Sequence, residues 1–119
     1  MSLMSTPIPV FASDAMAAQA DAAADLLKAL ANPQRLRILC LLIEGERNVS
    51  QINEQVPLSQ SALSQHLAVL REKGLVDTRK QAQTVFYRVA EGPVHQIIQT
   101  LHDVYCPADT GAVASLCGG

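Results

Sequence analysis

The chain has 119 residues, three cysteines and a formal net charge of −2 at pH 7. This length fits one domain with a single modest core. A hydrophobic content of 49% with 3% aromatic residues predicts an aliphatic, helical core rather than a disordered chain. The odd, low cysteine count excludes a disulfide-stapled secreted domain. A signal peptide requires a basic N-terminal region, and no basic residue precedes Lys28. The longest strongly apolar run, 38–43, is too short to cross a bilayer. We therefore expect a cytoplasmic protein without membrane contact.

Basic residues are concentrated in the middle of the chain. Residues 33–90 hold eight Lys or Arg against five Asp or Glu, whereas the flanks hold one lysine and six acids. This weak asymmetry is compatible with a DNA-facing centre carried by a separate scaffold.

The N-terminal part combines a flexible leader with a helix. We expect residues 1–13 to be flexible because they are Pro-rich, and the first three residues, ahead of Met4, are a candidate cloning remnant. Residues 14–31 are alanine-rich with helical spacing. Such a helix packs either on the core of its own subunit or on another subunit, since small residues allow close approach. The sequence of this stretch does not distinguish these two arrangements.

A second helix is predicted from Pro33 to about Ile43, with Asn32 as its N-cap and proline at the tolerated first position. A short third helix is predicted from Ser50 through Val56, followed by a tight turn at 57–58. The predicted inner face of the second helix comprises Leu36, Leu39, Cys40 and Ile43.

The fourth helix has the clearest signals. Ser59 is a good N-cap, and Gly74 stands where a glycine ends a helix in the left-handed conformation. With the preceding short helix it forms a helix-turn-helix. Its apolar stripe comprises Leu58, Ala62, Leu63, Leu67 and Leu70, and its opposite face carries Gln60, Ser61, Ser64, Gln65 and Ala68. Glutamine and serine can hydrogen-bond to base edges, so this face is either a DNA-reading surface or an ordinary surface of low charge.

A hairpin wing is predicted from two strands, 75–79 and 85–89, joined by the polar loop 80–84. Its charged side chains either contact phosphates or are simply solvated. A last helix is predicted from Pro93 to Tyr105, stopped by Pro107, with a flexible tail over 107–119. Its apolar stripe comprises Val94, Ile97, Leu101 and Val104.

Three segments together resemble the ArsR/SmtB family of bacterial winged-helix repressors: ALANPQRLRIL, LSQSALSQHLAVLREKGLV and TVFYRV. The resemblance implies a mainly α winged helix-turn-helix domain over 14–106, with a small β-hairpin and the order α-α-α-α-β-β-α. It also implies a homodimer through the first and last helices that binds double-stranded DNA at a palindromic operator. We expect Gln60, Ser61, Ser64 and Gln65 to read bases, and Ser59, Arg71, Lys73, Arg79 and Lys80 to contact phosphates.

The cysteines are similar in placement to those of the thiol-redox and persulfide-responsive branch of this family, the HlyU-, BigR- and SqrR-like regulators. That resemblance implies that Cys40 and Cys106 bridge within one subunit and release DNA, with a small oxidant or persulfide as inducer and no cofactor. The alternative for Cys40 is a small buried hydrophobe, and for Cys106 an incidental helix-end residue. Cys117 receives no role.

Two other functions compete with this interpretation. The third helix lacks the cysteines that many family members use to bind metal, and the family's Asp-x-His pattern is missing before His95, so we assign no metal site. Sensing of zinc or another thiophilic metal through Cys40, His102 and Cys106 is the first alternative. A thiol enzyme is the second, and it lacks a CxxC pair, a Gly-rich phosphate loop and a recognisable base.

Overall fold

The structure is a computed structural model that describes residues 9–106, with side chains from residue 15 onward. The segments 1–8 and 107–119, and with them Cys117, lie outside the described residues. The domain is mainly helical with a small antiparallel sheet, as predicted. Its elements are α1 (Pro9–Leu30), α2 (Pro33–Ile43), β1 (Arg47–Asn48), α3 (Val49–Gln55), α4 (Gln60–Glu72), β2 (Val76–Gln81), β3 (Thr84–Val89) and α5 (Pro93–Tyr105).

Local capping sets the ends of the first two helices. Helix α1 begins at Pro9 rather than at residue 14, since proline is tolerated in a first turn. The side chain of Asn32 accepts hydrogen bonds from the backbone N–H groups of Gln34, at 2.9 Å, and Arg35, at 3.1 Å. The predicted start of α2 is therefore confirmed, including Pro33 in its first turn.

Helix α2 is the central element of the domain. It packs against α1, α3, α4, α5 and β3. The predicted single inner face is too narrow, because Ile38, Leu41 and Leu42 are buried as well as Leu39 and Cys40. A helix surrounded by neighbours buries most of its circumference, whereas a surface helix buries one stripe.

The helix-turn-helix is formed by α3 and α4. Asn48, not Ser50, starts α3: its side chain accepts from the Gln51 N–H while the Gln51 side chain accepts from the Asn48 N–H, both at 2.9 Å. This capping box satisfies two free donors at once. Helix α4 is capped by Ser59, whose hydroxyl accepts from the Ala62 N–H at 3.1 Å. It ends before Gly74, at φ +72°, as predicted.

The sheet has three strands in the order β1-β3-β2, so the two-residue strand β1 was missing from the prediction. Arg47 pairs with Tyr87 and Asn48 with Phe86, which fastens the α2–α3 connection to the wing. The hairpin is also tighter than predicted: residue 81 pairs with residue 84, leaving only Ala82 and Gln83 in the turn. Ala82 takes φ +57°, the left-handed conformation that tight hairpin turns require.

Helix α5 spans Pro93–Tyr105 as predicted, but its buried face differs. Val94 and Ile98 are buried, Leu101 is half-buried, and Val104 is 62% exposed. The predicted apolar stripe is therefore only partly covered within this subunit, and Val104 at its end is left exposed. No helix in the described part of the chain is long and apolar enough to cross a membrane.

Candidate nucleic-acid interface and cysteine pair

Helix α4 presents a polar, uncharged face to solvent. Leu63, Leu67 and Leu70 anchor the helix in the core, so rotation about its axis is fixed. The turn before it is held by Asn53, whose side-chain amide donates to the carbonyls of Val56, at 3.3 Å, and Leu58, at 3.0 Å. The exposed face carries the four residues predicted to read bases, Gln60, Ser61, Ser64 and Gln65.

His66 lies at the edge of this helix and is half-buried. Burial lowers the pKa of its imidazole below the ordinary value of 6.5, and the charge of Arg35 lowers it further. The ring is therefore neutral at pH 7, which avoids a second positive charge beside Arg35.

Most of the predicted phosphate contacts are exposed. Ser59 lies at the start of α4, where its hydroxyl is already the helix cap, and Arg71 and Lys73 lie at the other end. Lys80 lies on the wing. All four residues face solvent.

Arg79 differs from the other predicted phosphate contacts because it already has a carboxylate partner. Its guanidinium donates to both carboxylate oxygens of Glu46 and to the side chain of Gln81. The pKa of Glu46 is lowered by the Arg79 hydrogen bonds, while that of Arg79 is raised by the same partner. No local sequence pattern indicates this pair, whose members lie 33 residues apart.

The two cysteines lie on helices that pack against each other. Cys40 is in the middle of α2 and is fully buried. Cys106 is half-buried and immediately follows α5, with its N–H donating to the His102 carbonyl at 2.7 Å. Helices α2 and α5 are in direct contact, so the structure brings together the elements that carry the predicted switch.

A histidine–carboxylate contact joins these two helices. Nε2 of His102 lies 2.9 Å from a carboxylate oxygen of Glu44, the residue that ends α2. Glu44 also pairs with Arg47 at 3.6 Å. This contact was not predictable from the sequence, because its members lie 58 positions apart with no periodic signal.

The contact places the end of α2 beside the last turn of α5. His95, near the start of α5, lines a cleft with Gly45 and Glu46, which follow α2. His102, two turns later, meets Glu44 at the end of α2. Cys40 precedes Glu44 by four residues and Cys106 follows His102 by four, so each cysteine lies one turn along its own chain segment from the Glu44–His102 contact. Among residues with described side chains, no group of three or more His, Cys, Asp or Glu could hold a metal ion, so Cys40, His102 and Cys106 do not form a ligand set.

The helix-turn-helix, the exposed polar face of α4 and the β-hairpin wing define a winged-helix DNA-binding protein. Residues 32–78 match the model of the bacterial regulatory protein, arsR family. The transcriptional activator HlyU of Vibrio cholerae is 55% identical over 84 residues, which cover 71% of this chain and 78% of HlyU. The chain belongs to the arsR family and is a DNA-binding transcriptional regulator.

Solved structures agree with this assignment. Reduced HlyU from Vibrio cholerae superposes with a TM-score of 0.73 at 52% identity, covering 76% of this chain and 96% of that one. The transcriptional repressor BigR from Xylella fastidiosa superposes with a TM-score of 0.74 at 38% identity, covering 82% and 97%. The predicted winged-helix fold and the predicted branch of the family are thereby confirmed.

Proposed function

We propose that this regulator is a homodimeric repressor that binds a palindromic operator when reduced and releases it when Cys40 and Cys106 become bridged. The observation that carries the proposal is the packing of α2 on α5, with each cysteine one turn from the Glu44–His102 contact. Helix axes pack about 8–10 Å apart and Cα atoms lie about 2.3 Å from each axis. Facing residues on such helices come within or near the Cα separation of about 4.4–6.8 Å that a disulfide spans.

The DNA-binding part of the proposal rests on chemistry along α4 and the wing. Gln60, Ser61, Ser64 and Gln65 are short polar residues on one exposed face, suited to base edges in a major groove. Arg71, Lys73 and Lys80 supply positive charge around that face, and Arg79 joins them only after leaving Glu46.

Dimerisation rests on the apolar surface that the single subunit leaves uncovered. The large exposed hydrophobic residues are Met16 and Leu27 on α1, and Val104 and Tyr105 on α5. Within the described part of the chain, these belong to the two helices predicted to form the interface. A twofold axis through this surface places two copies of α4 side by side, as a palindrome demands.

The switch follows from the fixed spacing of a palindrome. A bridge between α2 and α5 rotates the helix beneath α4 relative to the helix that holds the partner. Both reading helices must enter grooves about 34 Å apart, so a small rotation in each subunit displaces both. One solved relative is described as reduced HlyU, which supports thiol chemistry as a variable in that protein.

The test compares DNA binding before and after treatment with glutathione persulfide. Wild-type protein should release the operator, and mass spectrometry should find an intramolecular Cys40–Cys106 link. Cys106→Ser should bind and remain bound. Because serine places a polar hydroxyl in the buried position 40, Cys40→Ala is compared beside Cys40→Ser, and both should remain bound.

Cys117→Ser is the matched control, since it removes a thiol and should respond as wild type does. Release of DNA by the Cys40→Ala/Cys106→Ser double variant would refute the switch while leaving DNA binding intact.

A further inference from the structure

The His102 side chain has a buried ring nitrogen, Nδ1, that takes no part in the DNA-binding surface. Nε2 faces the Glu44 carboxylate at 2.9 Å, and the imidazole is only 18% exposed. Within the described part of the chain, Nδ1 is buried and has no hydrogen-bond partner, the nearest carboxylate being that of Asp103 at 3.9 Å. Buried polar atoms are nearly always paired, so a partnerless one needs an explanation.

The Glu44 contact determines which tautomer the ring adopts. A carboxylate accepts hydrogen bonds only, so the neutral ring donates Nε2–H to Glu44 and keeps its lone pair on Nδ1. This is the arrangement in which a carboxylate orients an imidazole as a base for a nucleophile. The other charged groups at this contact are Arg47, which pairs with Glu44, and Asp103, whose carboxylate lies 3.9 Å from Nδ1.

The closest chemically reactive group along the helix is Cys106. It follows α5 four residues after His102, and its N–H donates to the His102 carbonyl at 2.7 Å, so the two residues are neighbours across the last turn of α5.

A local base also answers a difficulty in the switch. Only the thiolate attacks sulfur, yet Cys106 lies at the C-terminus of α5, where the helix dipole disfavours a negative charge. Cys40 is fully buried, so the half-buried Cys106 is the thiol that an inducer can reach.

We infer that His102 accepts the proton of the Cys106 thiol and that Glu44 positions the imidazole for this transfer; this inference rests on the proposed cysteine switch. The Cys106 thiolate attacks the outer sulfur of a persulfide RSSH and forms Cys106–S–SH. The leaving RS⁻ takes the proton from the imidazolium and departs as RSH. The Cys40 thiol then gives its proton to His102, which is neutral again, and the Cys40 thiolate attacks the inner sulfur, the Sγ of Cys106. The Cys40–Cys106 disulfide closes, and the leaving HS⁻ takes the proton back from the imidazolium and departs as H2S. The persulfide is the oxidant, and it is reduced to RSH and H2S.

The test measures the reactivity of Cys106 without DNA or persulfide, so it is independent of the proposed switch. In a Cys117→Ser background, the tryptic peptide 89–119 contains Cys106 as its one cysteine. Mass spectrometry of this peptide gives the rate of alkylation by iodoacetamide at Cys106 alone, with Cys40 unchanged. Each variant's fold is checked by circular dichroism.

His102→Gln should slow alkylation about tenfold at pH 7, because only the thiolate reacts and the variant lacks the base that accepts the thiol proton. At about pH 10 an ordinary thiol ionises unaided, so the rates of variant and wild type should converge. A role confined to shielding Cys106 would change the rate by the same factor at both pH values.

Glu44→Gln keeps the size of the side chain but no longer enforces the His102 tautomer with its lone pair on Nδ1. This variant should slow alkylation of Cys106 about threefold at pH 7, and its rate should also converge with that of wild type at about pH 10. His95→Gln, which removes an exposed imidazole from the same helix, should not change the rate. If His102→Gln does not fold, Glu44→Gln decides.

An unchanged or faster rate, or an equal loss at both pH values, overturns the inference. If alkylation depends on His102 but persulfide forms no Cys40–Cys106 link, the proposed switch fails while the thiol activation stands.

Discussion

Arg79 on the wing donates three hydrogen bonds to the carboxylate of Glu46, at 2.6–3.2 Å, and its guanidinium lies 4.9 Å from the centre of the Phe86 ring. Glu46 lies in the connection between α2 and β1, so this contact ties β2 to the body of the domain. A phosphate must displace the carboxylate before Arg79 can contact DNA. Lys80 has no ion pair with another described residue and needs no such exchange.

Removing the charge of Glu46 should therefore release Arg79 toward DNA. Glu46→Gln should tighten binding to cognate and random DNA alike and increase the slope of log K against log salt by about one. Asp25→Asn, which removes an exposed carboxylate from α1, should leave the slope unchanged. Fluorescence anisotropy at several salt concentrations measures both the DNA affinity and its salt slope for each variant. An unchanged slope for Glu46→Gln would mean that Arg79 does not reach a phosphate.

The same ion pair predicts a pH dependence of stability. Hydrogen bonds from Arg79 hold the pKa of Glu46 below its ordinary value of 4.5, with desolvation opposing. The pair's contribution is thus fully present above pH 4.5, declines as pH falls below it, and is lost below the folded-state pKa. Urea unfolding of wild type and Glu46→Gln across this range measures the difference. A difference that persists below the folded-state pKa would show that it does not come from the charge.

A charge on the exposed apolar surface of α5 should separate the proposed dimer. Val104→Glu is the suitable change because Val104 is 62% exposed, whereas Leu101 packs against the subunit's own core and its replacement would harm folding. Sedimentation velocity should show monomers for Val104→Glu and dimers for Gln83→Glu, which adds the same charge at the tip of the wing. A stable Val104→Glu dimer would place the interface elsewhere.

Base reading by α4 should depend on its uncharged amides. Gln65→Ala should cost about 1–3 kcal/mol on the cognate operator and much less on random DNA. Gln96→Ala, on the exposed side of α5, should cost nothing on either. Competition binding with both DNAs gives the ratio. Equal losses on both would show that Gln65 does not read a base.

The features predictable from the sequence are those decided within a few residues. Asn32, Ser59 and Gly74 end or begin helices through contacts or dihedral angles that their own neighbourhood determines. Strand β1 was not predictable, because two residues carry no alternation and their partners lie some 40 positions away. More residues of α2 are buried than its predicted stripe contains, because periodicity indicates one buried face and does not show how many neighbours surround a helix.

The candidate site also has features that follow from local sequence and features that only the tertiary structure shows. The polar face of α4 follows from helical spacing alone and lies exposed where it was expected. The partners of Arg79 and His102 are carboxylates from the end of α2 and the loop after it, brought close only by the fold. Residue type identified both as chemically active, but tertiary contacts decide whether each charge or lone pair is available.

The burial of α2 on nearly all sides has a consequence for how the domain opens. A helix whose neighbours are α1, α3, α4, α5 and β3 exposes its amides only when those contacts are lost together. Its amide protons should therefore exchange with solvent at the rate of global unfolding, whereas those of the exposed residues 15–25 of α1 should exchange through local opening. A covalent bond at Cys40 then acts on the slowest-opening unit of the molecule, so each bridged subunit should change state as a whole.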